Sequence, residues 1–331
     1  TGDSSLSKRD FSRVVKPLEL FGINIKTKKN KLPITIKGSK YLRPIFYKEE
    51  KGSAQVKSAI LLASLNTPGQ TVIKSKISRN HTELMFKNCL KIPLKLKKYK
   101  NYEIIKVDGK TNYKGFNYNI PGDISSAAFF IALTTLANNS QLKMKNVNYN
   151  KSRIGIIEIL KKMRAKIKIT NIKNYKGERV ADIFVTSSNN LIGIDCPKSL
   201  NTKSIDEFLI IFLVCAKAKG ISRFIGINEL RQKESDRLKM AAKFLKSIGI
   251  KVDEKFDSLK IYGNPNLKIK KKVIIKNFLK DHRVFMMSCV AALTLGGNFK
   301  IYDKNSINSS FPKFLDLLKK LGAKIDNKHL N

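Results

Sequence analysis

The stretch ELRQKESDR, from Glu229 to Arg237, is the part of the sequence best suited to chemistry. It is mostly charged and directly precedes LKMAAKFLKSIG, an amphipathic pattern that predicts a helix. A helix start attracts anions, because its dipole and its free amides point there. The cluster therefore predicts either an anion site with acid–base groups or a salt-bridged helix start capped by Ser235 or Asp236.

Two further polar groups precede apolar helical patterns. Asp206 lies just before the apolar run FLIIFLVCA, where a carboxylate is either a helix cap or a base with a raised pKa. Asp281, His282 and Arg283 precede VFMMSCVAALTL, and this trio predicts either an anion site or a histidine that caps a core helix.

Helix starts near the front of the chain carry small polar residues. GSAQVKS, from Gly52 to Ser58, and SRNHTE, from Ser78 to Glu83, offer hydroxyls, amides and cations that suit phosphate and sugar hydroxyls. PGDISS, from Pro121 to Ser126, is typical of a turn and an N-cap. If these helix starts converge, we expect one electropositive cleft that binds a pair of anionic substrates.

An internal repeat is expected to position these groups. Five segments run from an amphipathic helix through a turn into a short strand, with turn positions at Gly22, Lys91, Arg164, Gly249 and Gly322. The differences between those positions are 69, 73, 85 and 73 residues, which is the signature of a repeated α/β subdomain. Glycine adopts the left-handed turn conformation freely, whereas Lys91 and Arg164 should be mildly strained.

Composition limits the class of protein. A chain of 331 residues favours two domains, and the Asn-, Tyr- and Gly-rich stretch TNYKGFNYN predicts a boundary that gives domains 1–119 and 120–331. No apolar run approaches the length of a bilayer span. Three of the four cysteines lie in apolar helical patterns without CxxC spacing, so we expect buried thiols in a cytoplasmic protein, with no disulfide or metal.

The net charge of +41 invites a nucleic-acid interpretation, which the distribution of the charge argues against. Only 11 of the 66 basic residues are arginine, which leaves 55 lysines spread over every segment. No nucleic-acid-binding motif accompanies them. The few arginines are more informative, since planar bidentate recognition of phosphate or carboxylate is a specific reason to use arginine.

These motifs resemble the enolpyruvyl transferase family, and within it the EPSP synthases. The resemblance covers nearly the whole chain and rests on TGDSSLSKR, YLRPIFYKEEKGSAQVKS, SRNHTE, PGDISSAAFF, SRIG, IDEF, ELRQKESDR, DHR and SSFPKF, in that order. It implies an α/β, two-domain enolpyruvyl transferase fold built of repeated βαβαββ units, an inside-out α/β barrel. It also implies transfer of the enolpyruvyl group of phosphoenolpyruvate to the 5-hydroxyl of shikimate 3-phosphate, without a metal or organic cofactor.

The resemblance assigns roles to individual residues. Asp206 matches the carboxylate that handles the hydroxyl proton, and Glu234 matches the group that protonates and later deprotonates C3 of phosphoenolpyruvate. The residues implied to bind shikimate 3-phosphate are Ser53, Ala54, Gln55, Ser78, Arg79, Asp206 and Lys233. Those implied to bind phosphoenolpyruvate are Arg9, Gln55, Arg237, His282 and Arg283. The expected partners are these two substrates, with no nucleic acid and no membrane, and the expected state is a monomer.

Two alternatives stay open at this point. The sister enzyme that transfers enolpyruvyl to UDP-N-acetylglucosamine uses a loop cysteine, whereas Cys89 lies in an apolar helical pattern. The chain also begins at Thr1, and the resemblance implies that the family's first unit precedes it, so the first repeat unit is expected to be incomplete. An inactive truncated remnant or a basic binding protein is therefore the other alternative. For residues 1–331 alone we expect anion binding with turnover near background.

Overall fold

The structure is a computed structural model that describes residues 1–2 and 6–326. Residues 3–5 of the TGDSSLSKR motif and the side chain of Lys8 lie outside the described part, as do residues 327–331. The chain divides into two compact units, one of residues 1–120 with 173–179 and one of residues 121–172 with 180–331. No feature of the sequence indicates that residues 173–179 join the first unit.

The first unit contains a four-stranded sheet with two helices in a strand–helix–strand–helix–strand–strand order. Strand β3 is parallel to β4, while β4 and β5 are antiparallel to β6, so the sheet order is β3-β4-β6-β5. A helix and a two-stranded sheet precede this motif. The elements are α1 (Ser12–Leu20), β1 (Asn24–Lys28), β2 (Lys31–Lys37), β3 (Phe46–Glu49), α2 (Ala54–Ser64), β4 (Gln70–Lys76), α3 (His81–Asn88), β5 (Leu94–Lys98) and β6 (Tyr102–Asp108).

The second unit repeats this order. Its elements are α4 (Ile124–Leu136), β7 (Gln141–Asn148), α5 (Gly155–Lys162), β8 (Lys166–Tyr175), β9 (Glu178–Thr186), α6 (Asn201–Ser204), α7 (Phe208–Ala216), β10 (Gly220–Ile225), α8 (Arg237–Ser247), β11 (Val252–Glu254), β12 (Ser258–Gly263), β13 (Lys272–Ile275), α9 (His282–Leu295), β14 (Asn298–Ile301) and α10 (Phe314–Lys320). Its sheets are β7-β9-β8, β10-β12-β11 and the parallel pair β13-β14. The first strands of two βαβαββ motifs are reduced to isolated parallel bridges, Gly122 with Val147 and Asp195 with Arg223.

Each unit has its own hydrophobic core. In the second unit α4, α7 and α9 pack against one another, and every residue of α7 is buried. A helix that is apolar on all sides must be buried. The sheets instead alternate buried and exposed positions along their strands, as β10 does. In the second unit, helices therefore occupy the centre and sheets the outside, which is the expected inside-out arrangement.

The predicted turn positions of the repeat are confirmed. All five have a positive φ: 91° at Gly22, 57° at Lys91, 68° at Arg164, 87° at Gly249 and 95° at Gly322. At three of these turns the next residue donates its N–H to the carbonyl five residues earlier, the bond of a Schellman motif. Those bonds are Ala165 to Leu160, Ile250 to Leu245 and Ala323 to Leu318.

The cysteines differ in part from the expectation. Cys215 and Cys289 are buried in α7 and α9, and burial raises the pKa of each thiol to about 12. Cys89 instead ends α3 and is only half-buried, and Cys196 lies half-buried in a loop. The apolar pattern around Cys89 therefore predicted more burial than a residue at the end of a helix has. All four positions lie in the described part of the chain, and all four thiols are free.

Candidate active site

The centre of the site in the second unit is a buried pair, Arg237 and Asp281. Arg237 is the first residue of α8 and Asp281 is the N-cap of α9, and their side chains are 2% and 0% exposed. The Arg237 Nε atom donates to Asp281 Oδ2 at 2.9 Å. Asp281 also accepts from the Ser235 hydroxyl at 2.9 Å and from the backbone N–H of Arg283 at 3.0 Å. One carboxylate thus joins the ELRQKESDR loop to the start of α9.

Burial and charge oppose each other in this pair. Burial alone would raise the pKa of Asp281, but the Arg237 guanidinium and its hydrogen bonds hold that pKa below its usual value. Burial likewise works against the charge of Arg237, yet Asp281 and Glu234 raise the pKa of its guanidinium. Both groups are therefore ionised at neutral pH.

The two proton-transfer candidates approach this pair from different elements. Arg237 donates to Glu234 Oε2, and its Nη1 atom lies 3.9 Å from Asp206 Oδ1. Lys233 Nζ lies 3.6 Å from the same Asp206 oxygen. The side chains of Asp206, Lys233 and Glu234 are 17%, 20% and 24% exposed, so each can still meet a ligand. The structure thus brings these three side chains together beside the buried guanidinium of Arg237.

Arg283 extends the cluster, because its Nη1 atom donates to the backbone carbonyl of Asp206 at 2.7 Å. The neighbouring His282 begins α9, and burial followed by repulsion from Arg283 lowers the pKa of its imidazole. His282 is therefore neutral at pH 7, and at this helix start the cap is Asp281 rather than the histidine.

The interpretation of Asp206 as a cap is wrong. Residue 207 is the N-cap of α7 and makes no capping bond through its side chain. Asp206 instead faces Lys233 and Arg237, because a one-turn segment before α7 directs it into the cluster. At α8 the cap is Asp236, which accepts from the backbone N–H of Lys239 at 2.9 Å.

Arg153 and Glu207 also belong to this cluster, although neither was singled out from the sequence. Arg153 Nη1 lies 3.7 Å from Asp206 Oδ2, and Arg153 also donates to the Ser125 hydroxyl. Ser125 in turn donates to Glu207, whose side chain is fully buried and whose pKa is raised by burial against the pull of Arg153 and Arg283. The motifs SRIG and IDEF contain these residues, but only the fold shows that they meet.

The ELRQKESDR loop is anchored by Arg231. Its guanidinium donates to Asp236 and Glu254 at 2.8 and 2.9 Å, and to the backbone carbonyls of Phe256 and Lys255. Lys233 also contacts Glu229 at 3.1 Å. The alternative of a salt-bridged helix start is therefore partly correct, since these pairs fix the loop that carries Lys233 and Glu234.

The first unit holds five of the seven residues expected at shikimate 3-phosphate, all except Asp206 and Lys233. Ser53 is the N-cap of α2 and accepts from the backbone N–H of Val56, and Ala54 and Gln55 are the first two residues of that helix. Ser78 and Arg79 lie just before α3, and among the described residues the Ser78 hydroxyl is a buried oxygen without a hydrogen-bond partner. Arg9 follows the short 3-10 helix Leu6–Lys8. The residues of GSAQVKS and SRNHTE thus lie at the starts of α2 and α3, whereas Arg9 lies before α1.

One cation of GSAQVKS does not serve as expected. Lys57 is 1% exposed and forms ion pairs with Glu83 and Glu103 at 2.5 and 2.7 Å. The idea that this lysine presents its charge to a phosphate is therefore wrong. In the described part of the chain, no group of three His, Cys, Asp or Glu side chains could hold a metal ion, and no helix is long and apolar enough to cross a membrane.

Comparison with known proteins first defines the class. The enolpyruvyl transferase NikO from Streptomyces tendae superposes with a TM-score of 0.76 at 13% identity, over 98% of this chain and 73% of that one. At that identity the match shows the fold alone, and the fold is that of the enolpyruvyl transferases. An EPSP synthase structure from Acinetobacter baumannii matches with a TM-score of 0.84 and 35% identity, over 98% of this chain and 74% of that one.

Sequence comparison defines the family. The family model EPSP synthase (3-phosphoshikimate 1-carboxyvinyltransferase) matches residues 1–318. A 3-phosphoshikimate 1-carboxyvinyltransferase from Zymomonas mobilis is 40% identical over 98% of this chain and 72% of its own length. One of the same name from Bartonella quintana is 41% identical, over 98% and 73% respectively. The chain belongs to the EPSP synthase family.

Proposed function

We propose that the protein transfers the enolpyruvyl group of phosphoenolpyruvate to the 5-hydroxyl of shikimate 3-phosphate, which gives EPSP and phosphate in the shikimate pathway. Family membership supports the reaction. The observation that carries the proposal is the meeting of Asp206 and Glu234 at one buried arginine, Arg237. Two carboxylates held beside a fixed guanidinium suit a reaction with proton transfers and an anionic leaving group.

The proposed chemistry has two steps. In the first, the 5-hydroxyl oxygen of shikimate 3-phosphate bonds to C2 of phosphoenolpyruvate and gives its proton to Asp206. At the same time, Glu234 gives a proton to C3. In the second, the bond from C2 to the phosphate oxygen breaks, the leaving phosphate takes up the proton that Asp206 accepted, and Glu234 takes a proton back from the C3 methyl group. Atoms balance, because the hydroxyl proton leaves with phosphate and the proton added to C3 is matched by one removed from it.

Binding roles follow from the charges. Arg237 and Arg283 suit the phosphate and carboxylate of phosphoenolpyruvate, and the neutral His282 can donate a hydrogen bond beside them. Lys233, 3.6 Å from Asp206, suits the shikimate side and stabilises the ionised carboxylate. Arg9 and Gln55 complete the proposed phosphoenolpyruvate contacts.

Besides Asp206 and Lys233, the proposed shikimate 3-phosphate contacts lie in the first unit. The hydroxyls of Ser53 and Ser78, the amides at the start of α2 and the guanidinium of Arg79 are all phosphate ligands by type. We also propose domains of residues 1–119 and 120–331, and a monomer that works in the cytoplasm without nucleic acid or membrane. Limited proteolysis should first cut within TNYKGFNYN if the domain boundary is correct.

The test is phosphate release by the full gene product with phosphoenolpyruvate and a choice of acceptor. We expect release with shikimate 3-phosphate and none above background with UDP-N-acetylglucosamine. Asp206→Asn and Glu234→Gln should each lower kcat by about 100-fold or more, the range for loss of a general acid or base. Release with UDP-N-acetylglucosamine alone, or full activity in both variants, would overturn the proposal.

A further inference from the structure

A group of three charged side chains is buried in the core of the first unit. Lys57, Glu83 and Glu103 are 1%, 4% and 1% exposed, and the Lys57 Nζ atom lies 2.5 Å from Glu83 and 2.7 Å from Glu103. We call these three residues the buried triad. With both carboxylates this close and almost no exposure, Lys57 has no free face for a ligand. The buried triad must act through the elements that it joins.

The members of the buried triad belong to the elements that present the proposed shikimate 3-phosphate contacts. Lys57 lies in the first turn of α2, just after Ser53 and Gln55, and Glu83 lies in the first turn of α3, just after Arg79. Glu103 lies on β6, facing the core. The Lys57–Glu83 ion pair therefore joins the two helix starts, and the Lys57–Glu103 pair joins α2 to the sheet.

Topology and neighbouring contacts place the two helix starts side by side. Strands β3 and β4 are parallel neighbours, so the helices that follow them begin at the same edge of the sheet. A Cβ atom added to Gly52 would lie 3.6 Å from the Lys76 Cβ atom, which shows how close the two loops are. The hydroxyls of Ser58, one turn into α2, and Thr82, in the first turn of α3, are 2.6 Å apart.

A buried ion pair is a costly way to fill a core, because well-packed apolar residues of the same volume are often at least as stabilising. What an ion pair adds is a defined distance and direction between two elements. We propose that the buried triad is a positioning device that sets the spacing between the starts of α2 and α3 for shikimate 3-phosphate. This inference rests on the proposed function.

Two isosteric variants separate positioning from stability. Glu83→Gln leaves Lys57 paired with Glu103 but weakens the link between the two helix starts. Glu103→Gln is the matched control, since it removes one carboxylate from the same cation and leaves the Lys57–Glu83 link intact. With both substitutions made in the full gene product, isothermal titration calorimetry gives the Kd of shikimate 3-phosphate, steady-state kinetics gives the KM of both substrates, and thermal unfolding gives Tm.

We expect Glu83→Gln to raise the Kd and KM of shikimate 3-phosphate by about tenfold, because a displacement of about 1 Å at a positioned group is costly. The KM of phosphoenolpyruvate should stay within about twofold. Glu103→Gln should lower Tm by a similar amount but change the Kd of shikimate 3-phosphate by less than about twofold. A merely structural role would lower Tm in both variants and leave both Kd values unchanged, which would overturn the inference.

Two further outcomes are decisive. If Glu83→Gln does not fold, Glu83→Asp keeps the charge and shortens the reach by one methylene, and the same rise in Kd is expected. An unchanged Kd in Glu83→Asp would overturn the positioning role. A wild-type protein that does not bind shikimate 3-phosphate would refute the proposed function itself, whereas wild-type binding with equal Kd values in both variants refutes only the buried triad's role.

Discussion

Replacing Asp281 by asparagine isolates the charge of the buried pair at the centre of the site. Asparagine has nearly the same shape and is an equally good N-cap, so α9 should keep its cap. What is lost is the negative charge that faces Arg237 at 2.9 Å in a place where neither side chain is exposed by more than 2%. The variant therefore leaves a buried guanidinium with Glu234 as a close carboxylate partner and Asp206 at 3.9 Å.

The magnitude follows from the burial. Removing one partner of a buried ion pair typically lowers the free energy of unfolding by about 3–5 kcal/mol. We expect a decrease of about 3 kcal/mol, because Glu234 still faces Arg237. The folded-state pKa of Asp281 is lowered, so its contribution is complete above the unfolded pKa of about 3.9. It is lost as the pH falls through the folded value, so the difference between wild type and variant should shrink below about pH 4.

Urea unfolding followed by circular dichroism at pH 7 and pH 3 measures this difference. Asp123→Asn is the matched control, because Asp123 caps α4 in the same way but its side chain is 57% exposed. Its loss should stay below about 1 kcal/mol, as for exposed ion pairs. Equal losses in the two variants, or a difference for Asp281→Asn that does not change between pH 7 and pH 3, would refute the reasoning.

Two other predictions concern local conformation and charge. Arg164→Gly should stabilise the protein by about 0.5 kcal/mol, because the left-handed conformation at Arg164 strains any residue except glycine; Lys161→Gly, within α5, should instead cost about 1 kcal/mol, and equal effects in urea unfolding would contradict this. His282 should titrate below its usual pKa of about 6.5 in an NMR experiment on the imidazole C2–H signal. A midpoint at or above that value, assigned by loss of the signal in His282→Asn, would be inconsistent with a buried imidazole beside Arg283.

Local features of the fold could be predicted from the sequence. The turn after each amphipathic helix depends on residues close in sequence, and all five predicted turn positions have a positive φ. The start of α8 was also predicted, with Asp236 as one of two suggested caps. The complete βαβαββ order was not readable from the pattern, because two of the first strands form only isolated bridges that leave no alternation in the sequence.

Partners distant in sequence could not be predicted in the same way. Arg153 contacts Asp206 and Arg237 contacts Asp281 only because the helix starts of different repeats meet. Lys57 was misinterpreted for the same reason. A cation at a helix start suggests a phosphate ligand, but Lys57 is buried and paired with Glu103, a residue on a strand that is distant in sequence. Residue type indicates which chemistry is possible, while burial and pairing decide which of it is used.

The most direct test of the account is the reaction of phosphoenolpyruvate with shikimate 3-phosphate in D2O, catalysed by the full gene product. Phosphorus NMR follows EPSP and phosphate, and mass spectrometry follows deuterium at the C3 methylene of EPSP. We expect EPSP and phosphate in equal amounts with deuterium in the product, and a loss of about 100-fold or more in Glu234→Gln. EPSP formed at the wild-type rate by Glu234→Gln, or phosphate released without EPSP, would contradict the account.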